Sequence, residues 1–264
     1  MADDVVLLEN RDGIALLTLN RPERLNAWTG ELENRYFDRL DECAADPAVK
    51  VIVVTGAGRG FCAGADMDML QSIGSEGVNA AAGTARTTRP QWHTTTIPKP
   101  VIAAINGACA GIGLVQALMA DIRFAAAGAK FTTAFARRGL IAEHGISWVL
   151  PKLVGPAHAL DLLMSGRVFL AEEAAHLGVV NDVIAPEHLI DHTMAYASDM
   201  AANCSPASMA VMKRQVWEHY LLPLDDATRS SNELMKISLK ADDFREGVQS
   251  FVQKRPPKFA PLTQ

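Results

Sequence analysis

The sequence is poor in the features that mark metal sites, disulfide frameworks and membrane spans. Its 264 residues include four cysteines, Cys43, Cys62, Cys109 and Cys204, which show no CxxC or other metal-ligand spacing. We therefore expect reduced thiols and no bound metal. No segment reaches the roughly 18 consecutive apolar residues of a spanning helix, and the N-terminus lacks the build of a signal peptide. These absences predict a cytoplasmic protein without a membrane span.

Clustered positive charge is also scarce. The formal net charge is −5 at pH 7 and the sequence pI is near 5.8. Nucleic-acid binding needs clustered cations, and here lysine and arginine are scattered. The one dense basic patch, Lys254-Arg255 with Lys258, is typical of a solvated tail. We expect no nucleic-acid partner.

The most informative stretch runs from Val101 to Leu118. Its apolar first half predicts a buried strand, Asn106-Gly107 predicts a turn, and Gly111 with Gly113 opens an apolar helix. The first turn of a helix has N–H groups without internal hydrogen-bond partners. A strand that leads directly into such a turn therefore predicts an anion-binding site.

A second glycine-rich turn follows an earlier predicted strand, Val51–Thr55. The small residues between Gly56 and Gly64 indicate that the backbone itself comes close to another group. The pattern Gly56-x-Gly58-x-Gly60 superficially resembles a dinucleotide fingerprint. Its spacing is wrong and no helix opens on the last glycine, which argues against a nicotinamide cofactor.

The remaining patterns predict an α/β fold that ends in helices. Two strands around Asp12-Gly13 predict a hairpin, and Thr29 predicts the start of the first helix. Short strands then alternate with helices, which is typical of an α/β class with crossover connections. The segment from Ser72 to Thr88 is weakly patterned and is interpreted either as a mobile cover over a pocket or as a surface loop. Four successive helices close the chain, so we place a core at 1–200 and a helical region at 201–264, which packs on the core or on another subunit.

Four motifs in a fixed order give the chain a family resemblance. They are Asn20-Arg21-Pro22 with Leu25-Asn26-Ala27, Gly60-Phe61-Cys62-Ala63-Gly64-Ala65-Asp66-Met67, Pro98-Lys99-Pro100 continuing to Asn106-Gly107, and Ser165-Gly166-Arg167 with Gly178-Val179-Val180. Over essentially its whole length the chain resembles the crotonase superfamily, the enoyl-CoA hydratase/isomerase family. The resemblance implies a spiral of ββα repeats and a C-terminal helical region that builds homotrimers or hexameric dimers of trimers.

The resemblance also implies a substrate and a site. The family binds acyl-CoA thioesters, needs no prosthetic group, and stabilises the thioester enolate oxygen with two backbone N–H groups. In this sequence those groups belong to Ala65 and Ile112, and Ile112 lies at a predicted helix N-terminus, where the helix dipole favours negative charge. The family pattern assigns CoA binding to Arg24, Ala27, Ala63, Asp66, Met67, Asp68, Phe251 and Lys254. The last two lie in the tail, whose cations could meet the CoA phosphates of a neighbouring subunit.

The chain departs from the family at the two glutamates of a typical hydratase. Those positions fall on Val115 and Phe135, and neither side chain can transfer a proton. Hydration by two carboxylates that position one water is therefore not expected. Dienoyl-CoA isomerases and aryl-CoA dehalogenases of the superfamily carry an acidic residue at about the position of Glu143, which makes Glu143 the candidate acid/base. The alternative for Glu143 is a carboxylate that caps the following helix.

Two histidines near the candidate site have alternative interpretations. His144 could assist Glu143, but adjacent residues at a helix start are expected to point in different directions, which favours a surface or capping role. His93 could hydrogen-bond the acyl group or simply pack. The sequence thus predicts an acyl-CoA enzyme with isomerase-like chemistry, with a non-catalytic acyl-CoA binding protein as the alternative. An RNA-binding member is disfavoured by the acidic balance.

Overall fold

A computed structural model describes residues 4–76 and 87–262. Ten strands occur in these ranges: β1 (Val6–Arg11), β2 (Ile14–Leu19), β3 (Val51–Gly56), β4 (Gly60–Cys62), β5 (Val101–Ile105), β6 (Ala108–Ala110), β7 (Ile122–Ala126), β8 (Lys130–Thr132), β9 (Phe169–Leu170) and β10 (Asp182–Ile184). Nine α-helices occur there as well: α1 (Gly30–Ala45), α2 (Met67–Glu76), α3 (Ile112–Met119), α4 (Ile146–Ser165), α5 (Ala171–His176), α6 (Leu189–Asn203), α7 (Pro206–His219), α8 (Leu224–Ser238) and α9 (Asp242–Val252).

The strands form two sheets that the chain visits in turn. One sheet has the order β1-β2-β3-β5-β7-β10, and the other has the order β4-β6-β8-β9. Each of the pairs β3–β4, β5–β6 and β7–β8 places one strand in each sheet before a helical segment follows. This is the spiral of ββα units that the family resemblance implies.

Parallel pairing explains the composition of the central strands. Strands β2, β3, β5, β7 and β10 pair in parallel in the six-stranded sheet. Every residue of β3 and β5 is buried, as expected for strands covered on both faces. The hairpin of β1 and β2 forms around Asp12 and Gly13, both with positive φ.

Helix α1 covers the start of the sheet as predicted. Thr29 accepts a hydrogen bond from the backbone N–H of Leu32 and so caps the helix. Leu32, Tyr36, Phe37 and Leu40 are buried on one face. Their spacing of three and four residues is what places them on the core side.

The C-terminal helices bury progressively less of their surface. Helix α6 packs on the six-stranded sheet and buries Leu189, Thr193, Ala197 and Ala201. Helix α7 buries only Pro206, and α8 buries none of its residues. This gradient starts close to the predicted boundary near residue 200, although the division into two regions stays a prediction.

Two local predictions differ from the structure. The weakly patterned segment from Ser72 begins as helix, because α2 continues to Glu76, and residues 77–86 of that segment lie outside the described ranges. The short strand β6 between Gly107 and Gly111 was not predicted, since three residues are too few for a periodic pattern. In the described part of the chain, every helix falls short of the length and apolarity needed to cross a membrane.

Candidate active site

The first element of the site is the N-terminus of α3. Gly111 is its N-cap, with φ of 49°, and the helix starts at Ile112. That left-handed conformation is unfavourable for residues with a Cβ atom and suits glycine. Gly111 N donates to Thr132 O at 3.0 Å, and Val115 N closes the first helical turn on Gly111 O at 3.1 Å. The N–H of Ile112 precedes that first internal bond, as the first N–H groups of a helix do.

The second element is the turn after β4 that contains Ala65. Ala65 forms a parallel bridge with Trp28. In that bridge Trp28 N donates to Gly64 O at 2.8 Å, and Asp66 N donates to Trp28 O at 3.0 Å. The bridge therefore uses the N–H groups of Trp28 and Asp66 and not that of Ala65.

The two turns lie side by side. Cys62 of β4 is the neighbour of Cys109 in β6, so both strands end at the same edge. A Cβ atom on Gly111 would lie 3.9 Å from Gly64 Cα, and one on Gly113 would lie 2.3 Å from Cys62 O. Only glycine at position 113 permits this approach of α3 to β4. The structure thus brings together the two segments that the sequence predicts as donors.

The cysteines at these strand ends are structural. Burial raises the pKa of the Cys62 thiol to about 12 and also raises the pKa of Cys109. Both side chains are fully buried. A buried thiol with a raised pKa is a poor nucleophile, so the chemistry of the site has to come from other groups.

Glu143 lies in the loop before α4. Its carbonyl accepts from Ile146 N at 3.1 Å, and the N-cap of α4 is Gly145. The capping alternative for Glu143 is therefore not what the structure contains. A Cβ atom on Gly145 would lie 3.6 Å from Met119 Cε, which places this loop beside the C-terminal end of α3.

The prediction that His144 points away from Glu143 is wrong. His144 Nε2 lies 3.1 Å from Glu143 Oε2, and both side chains are partly exposed. His144 has φ of 57°, and this left-handed backbone brings its ring back to the preceding carboxylate. His93 packs instead: its Nε2 lies 2.7 Å from Asp41 Oδ1 and its ring meets Phe37 edge-on.

The two positions where the family resemblance predicts the hydratase glutamates are apolar and enclosed. Val115 is completely buried in α3, and Phe135 is buried before the 3-10 turn Ala136–Arg138. Beyond the end of α3 lies a cavity of about 720 Å³, whose lining includes Trp92, Met119 and Trp148. The surroundings of the Glu143 loop are thus rich in apolar side chains.

Most of the predicted CoA-binding residues share one rim of the molecule. Ala63 N donates to Leu25 O at 3.0 Å, which aligns the loop before α1 with the turn before α2. Arg24 Nη2 of this loop pairs with Asp68 Oδ2 at 3.0 Å, and both side chains are exposed. Ala27 is partly buried on the same loop, and Met67 is 51% exposed.

Asp66 is turned inward instead of toward the solvent. Its Oδ2 accepts from Arg21 Nη1 and Nη2 at 3.1 Å, and its Oδ1 accepts from Asp68 N at 3.1 Å. Burial raises its pKa, but the Asp68 N–H and the Arg21 guanidinium outweigh that effect, so the pKa of Asp66 is lowered. The carboxylate therefore fastens α2 to the preceding loop. Arg21 Nη1 also donates to Ala27 O at 2.6 Å. The sequence pattern predicts no individual role for this arginine.

The tail residues lie apart from this rim. Phe251 is at the end of α9 and is 86% exposed, so its ring is not buried against its own chain. Helix α9 is held at the start of α7, where Ser205 Oγ donates to Asp243 Oδ2 at 2.5 Å. Lys254 follows α9 with φ of 52°. A role for these residues at a neighbouring subunit stays a prediction.

The fold and the site together define a class of protein. A spiral of ββα units holds two glycine-flanked turns side by side, and one turn opens a helix whose dipole favours negative charge. This is the crotonase fold.

Comparison with known proteins identifies the family. The model of the enoyl-CoA hydratase/isomerase family matches residues 9–261. A 1,2-epoxyphenylacetyl-CoA isomerase of Escherichia coli (strain K12) is 34% identical over 259 residues, covering 97% of this chain and 98% of that protein. The chain belongs to the enoyl-CoA hydratase/isomerase family and is an enzyme of that family.

Solved structures agree with this assignment. A probable enoyl-CoA hydratase/isomerase from Mycobacterium abscessus superposes with a TM-score of 0.88 at 31% identity, covering 97% of this chain and 99% of that one. An enoyl-CoA hydratase, EchA12_1, from Mycobacterium marinum is 54% identical, with a TM-score of 0.70 over 81% of this chain and 98% of that one.

Proposed function

We propose that this enzyme isomerises acyl-CoA thioesters through an enolate, with Ala65 and Ile112 as oxyanion donors and Glu143 as the single acid/base. The observation that carries the proposal is the adjacency of the two glycine turns: a Cβ atom added to Gly111 would lie only 3.9 Å from Gly64 Cα. Two convergent backbone N–H groups suit an oxygen that gains negative charge during reaction.

The chemistry follows from these groups. Glu143 removes a proton from a carbon next to the thioester carbonyl or conjugated with it, and the electron pair moves onto the thioester oxygen. The two N–H groups and the dipole of α3 stabilise that oxygen. Glu143 then returns the proton to a different carbon and the carbonyl reforms, so the double bond moves without gain or loss of atoms.

The buried apolar residues favour isomerisation over hydration. Hydration requires a water held between two carboxylates, and Val115 and Phe135 occupy those family positions. The relative named as an isomerase supports the same class of reaction.

His144 has a supporting role in this proposal. Its contact with Glu143 Oε2 fixes the direction of the carboxylate, in the way that a third group often orients a catalytic base. Because His144 is bonded to the base and not to the reacting carbons, we treat it as a positioning residue.

CoA lies along the rim in this proposal. Arg24, Ala27, Ala63 and the residues from Asp66 to Asp68 line it, with Asp66 acting through the backbone because its carboxylate is engaged by Arg21. Phe251 and Lys254 serve the ligand of a neighbouring subunit in a homotrimer or a dimer of trimers. The exposure of Phe251 supports this arrangement.

The second candidate is an acyl-CoA binding protein without catalysis, which the two apolar replacements favour. A panel of enoyl-, dienoyl- and aryl-CoA thioesters incubated with wild type and Glu143→Gln separates the two. We expect wild-type turnover of at least one thioester and a loss of about 10²–10⁴-fold in the variant. The exposed Glu187→Gln serves as the matched control.

Equal turnover by wild type and Glu143→Gln would remove the role of Glu143. Binding of the thioesters with no turnover by either protein would favour the binding protein.

A further inference from the structure

A buried carboxylate outside the proposed reaction centre is linked by hydrogen-bonded side chains to the segments of both proposed oxyanion turns. Glu33 is 2% exposed in the first turn of α1. Its Oε2 accepts from Trp28 Nε1 at 3.0 Å and from Gln91 Nε2 at 2.7 Å. A buried carboxylate is costly unless it is hydrogen-bonded, so this cluster of polar groups is a specific feature of the core.

One arm of the cluster reaches the Ala65 turn. The Trp28 whose indole binds Glu33 is the residue whose backbone bridges Ala65, through bonds to Gly64 O and from Asp66 N. Trp28 is 2% exposed and packs edge-on against Tyr36. Fixing its indole therefore fixes the strand segment that carries the first oxyanion donor.

The other arm reaches the Ile112 turn. Gln116 Nε2 donates to Gln91 Oε1 at 2.8 Å and to Gln91 O at 3.2 Å. Gln116 is 3% exposed and stands one helical turn after Ile112 in α3. Residues four apart share a side of a helix, so Gln91 holds the first turn of α3 against the Glu33 cluster.

We infer that Glu33 is a positioning residue that sets the spacing of the Ala65 and Ile112 N–H groups through Trp28 on one side and Gln91 with Gln116 on the other. The inference rests on the proposed function, because it concerns the same oxyanion site. Oxyanion donors act only within a narrow range of distance. The pairing of β4 with β6 determines the approximate distance between the two turns, and the Glu33 cluster determines their final separation.

The test measures the polarisation of a bound thioester. Crotonyl-CoA labelled with ¹³C at the carbonyl gives an infrared C=O band that moves to lower frequency when hydrogen bonds polarise it. Glu33→Met removes the acceptor. Gln116→Met breaks the cluster at its other end, and it provides the test if Glu33→Met fails to fold. Glu33→Gln keeps one acceptor oxygen, and Glu31→Met, on the exposed side of the same helix, is the matched control.

We expect wild type, Glu31→Met and Glu33→Gln to share a lowered band, and Glu33→Met and Gln116→Met to return it toward the frequency of free ligand. In whichever thioester is turned over, kcat should fall about tenfold or more while KM changes little, because a transition-state interaction is weakened. A band at the wild-type frequency in folded Glu33→Met and Gln116→Met would overturn the inference and leave the proposed function standing. An unshifted band in wild type would overturn the proposed oxyanion site, and the inference with it.

Discussion

Asn26 shows how one side chain supports the rim of the site. It is fully buried with φ of 56°. Its Oδ1 accepts from Arg21 N at 2.8 Å, and its Nδ2 donates to Ala57 O at 3.0 Å and to Gly60 O at 2.8 Å. One amide therefore ties the loop before α1 to the glycine turn that leads into β4.

Asn26→Ala is expected to lower the free energy of unfolding by about 2–5 kcal/mol, for two reasons. The backbone groups that bond to the Asn26 amide lose their partner, and alanine has to adopt the left-handed φ of residue 26. Denaturant unfolding measures the change. Asn10→Ala, on the exposed side of β1, should stay within about 0.5 kcal/mol of wild type. Equal stability of the two variants would contradict the role given to Asn26.

Single residues of the site were predictable only where a motif carried them. The glycine turns predicted the segments of Ala65 and Ile112, which lie side by side in the structure; their role as oxyanion donors stays a prediction. Neither the cluster around Glu33 nor the pairing of Arg21 with Asp66 was predictable. Their partners are 58 and 45 residues apart in sequence, and no local pattern reports such contacts.

At the scale of elements, α3 packs closely against β4. A Cβ atom on Gly113 would meet Cys62 O at 2.3 Å and Cys62 Cβ at 2.7 Å. Gly113→Ala should therefore force α3 away from β4, with a loss of stability of about 2–4 kcal/mol and loss of turnover.

Gly247→Ala is the matched control for this prediction. Gly247 lies inside α9, and a Cβ atom there would meet only Phe259 ring atoms at 3.7 Å. Because alanine is the better helix former, Gly247→Ala should leave stability unchanged or raise it by up to about 1 kcal/mol. Thermal unfolding of the two variants compares them, and a neutral Gly113→Ala would show that the helix has room to move.

The junction between the start of the chain and α1 is expected to be sensitive to acid. Hydrogen bonds from Arg35 lower the pKa of Asp4 to about 2 from an ordinary 3.8. A depressed folded-state pKa stabilises the fold above pH 3.8, and this contribution is lost as the pH falls toward 2. Asp4→Asn should thus destabilise the protein at pH 7 and lose that difference near pH 2. A stability difference that does not change with pH would contradict the assignment.

Elements with strong periodicity were predicted and short ones were not. Helix α1 and the hairpin followed from capping and turn residues. Helix α4 breaks at Gly155, whose φ of 76° and ψ of 161° are non-helical. Strand β6 was missed because its three residues are specified by pairing with β4 and β8, which are tertiary contacts.

At the scale of the whole molecule, the C-terminal helices expose large apolar side chains. Leu224 is 80% exposed, Ile237 68% and Phe251 86%. Large exposed apolar patches mark interaction surfaces. One chain weighs 28.4 kDa. We expect sedimentation equilibrium to give about 85 kDa for a trimer, or about twice that mass for a dimer of trimers.

Ile237→Asp in α8 should weaken the trimer, whereas Lys240→Asp beside it, also exposed, should not. A wild-type mass of one chain at micromolar concentration would contradict the proposed assembly.

The fold class was predictable from sequence because strand, turn and helix signals alternate regularly. The reaction was less predictable, because the family resemblance assigns the usual proton-transfer positions to Val115 and Phe135. Assigning the chemistry therefore depends on Glu143.

Deuterium exchange at carbon tests that assignment most directly. Hexenoyl-CoA and phenylacetyl-CoA are incubated in D₂O with wild type, Glu143→Gln and the control Glu187→Gln, and proton NMR follows the hydrogens next to the thioester. The account predicts exchange with wild type and the control, and exchange at least about 100-fold slower with Glu143→Gln. Equal exchange by wild type and Glu143→Gln, or no exchange of either bound thioester by wild type, would contradict it.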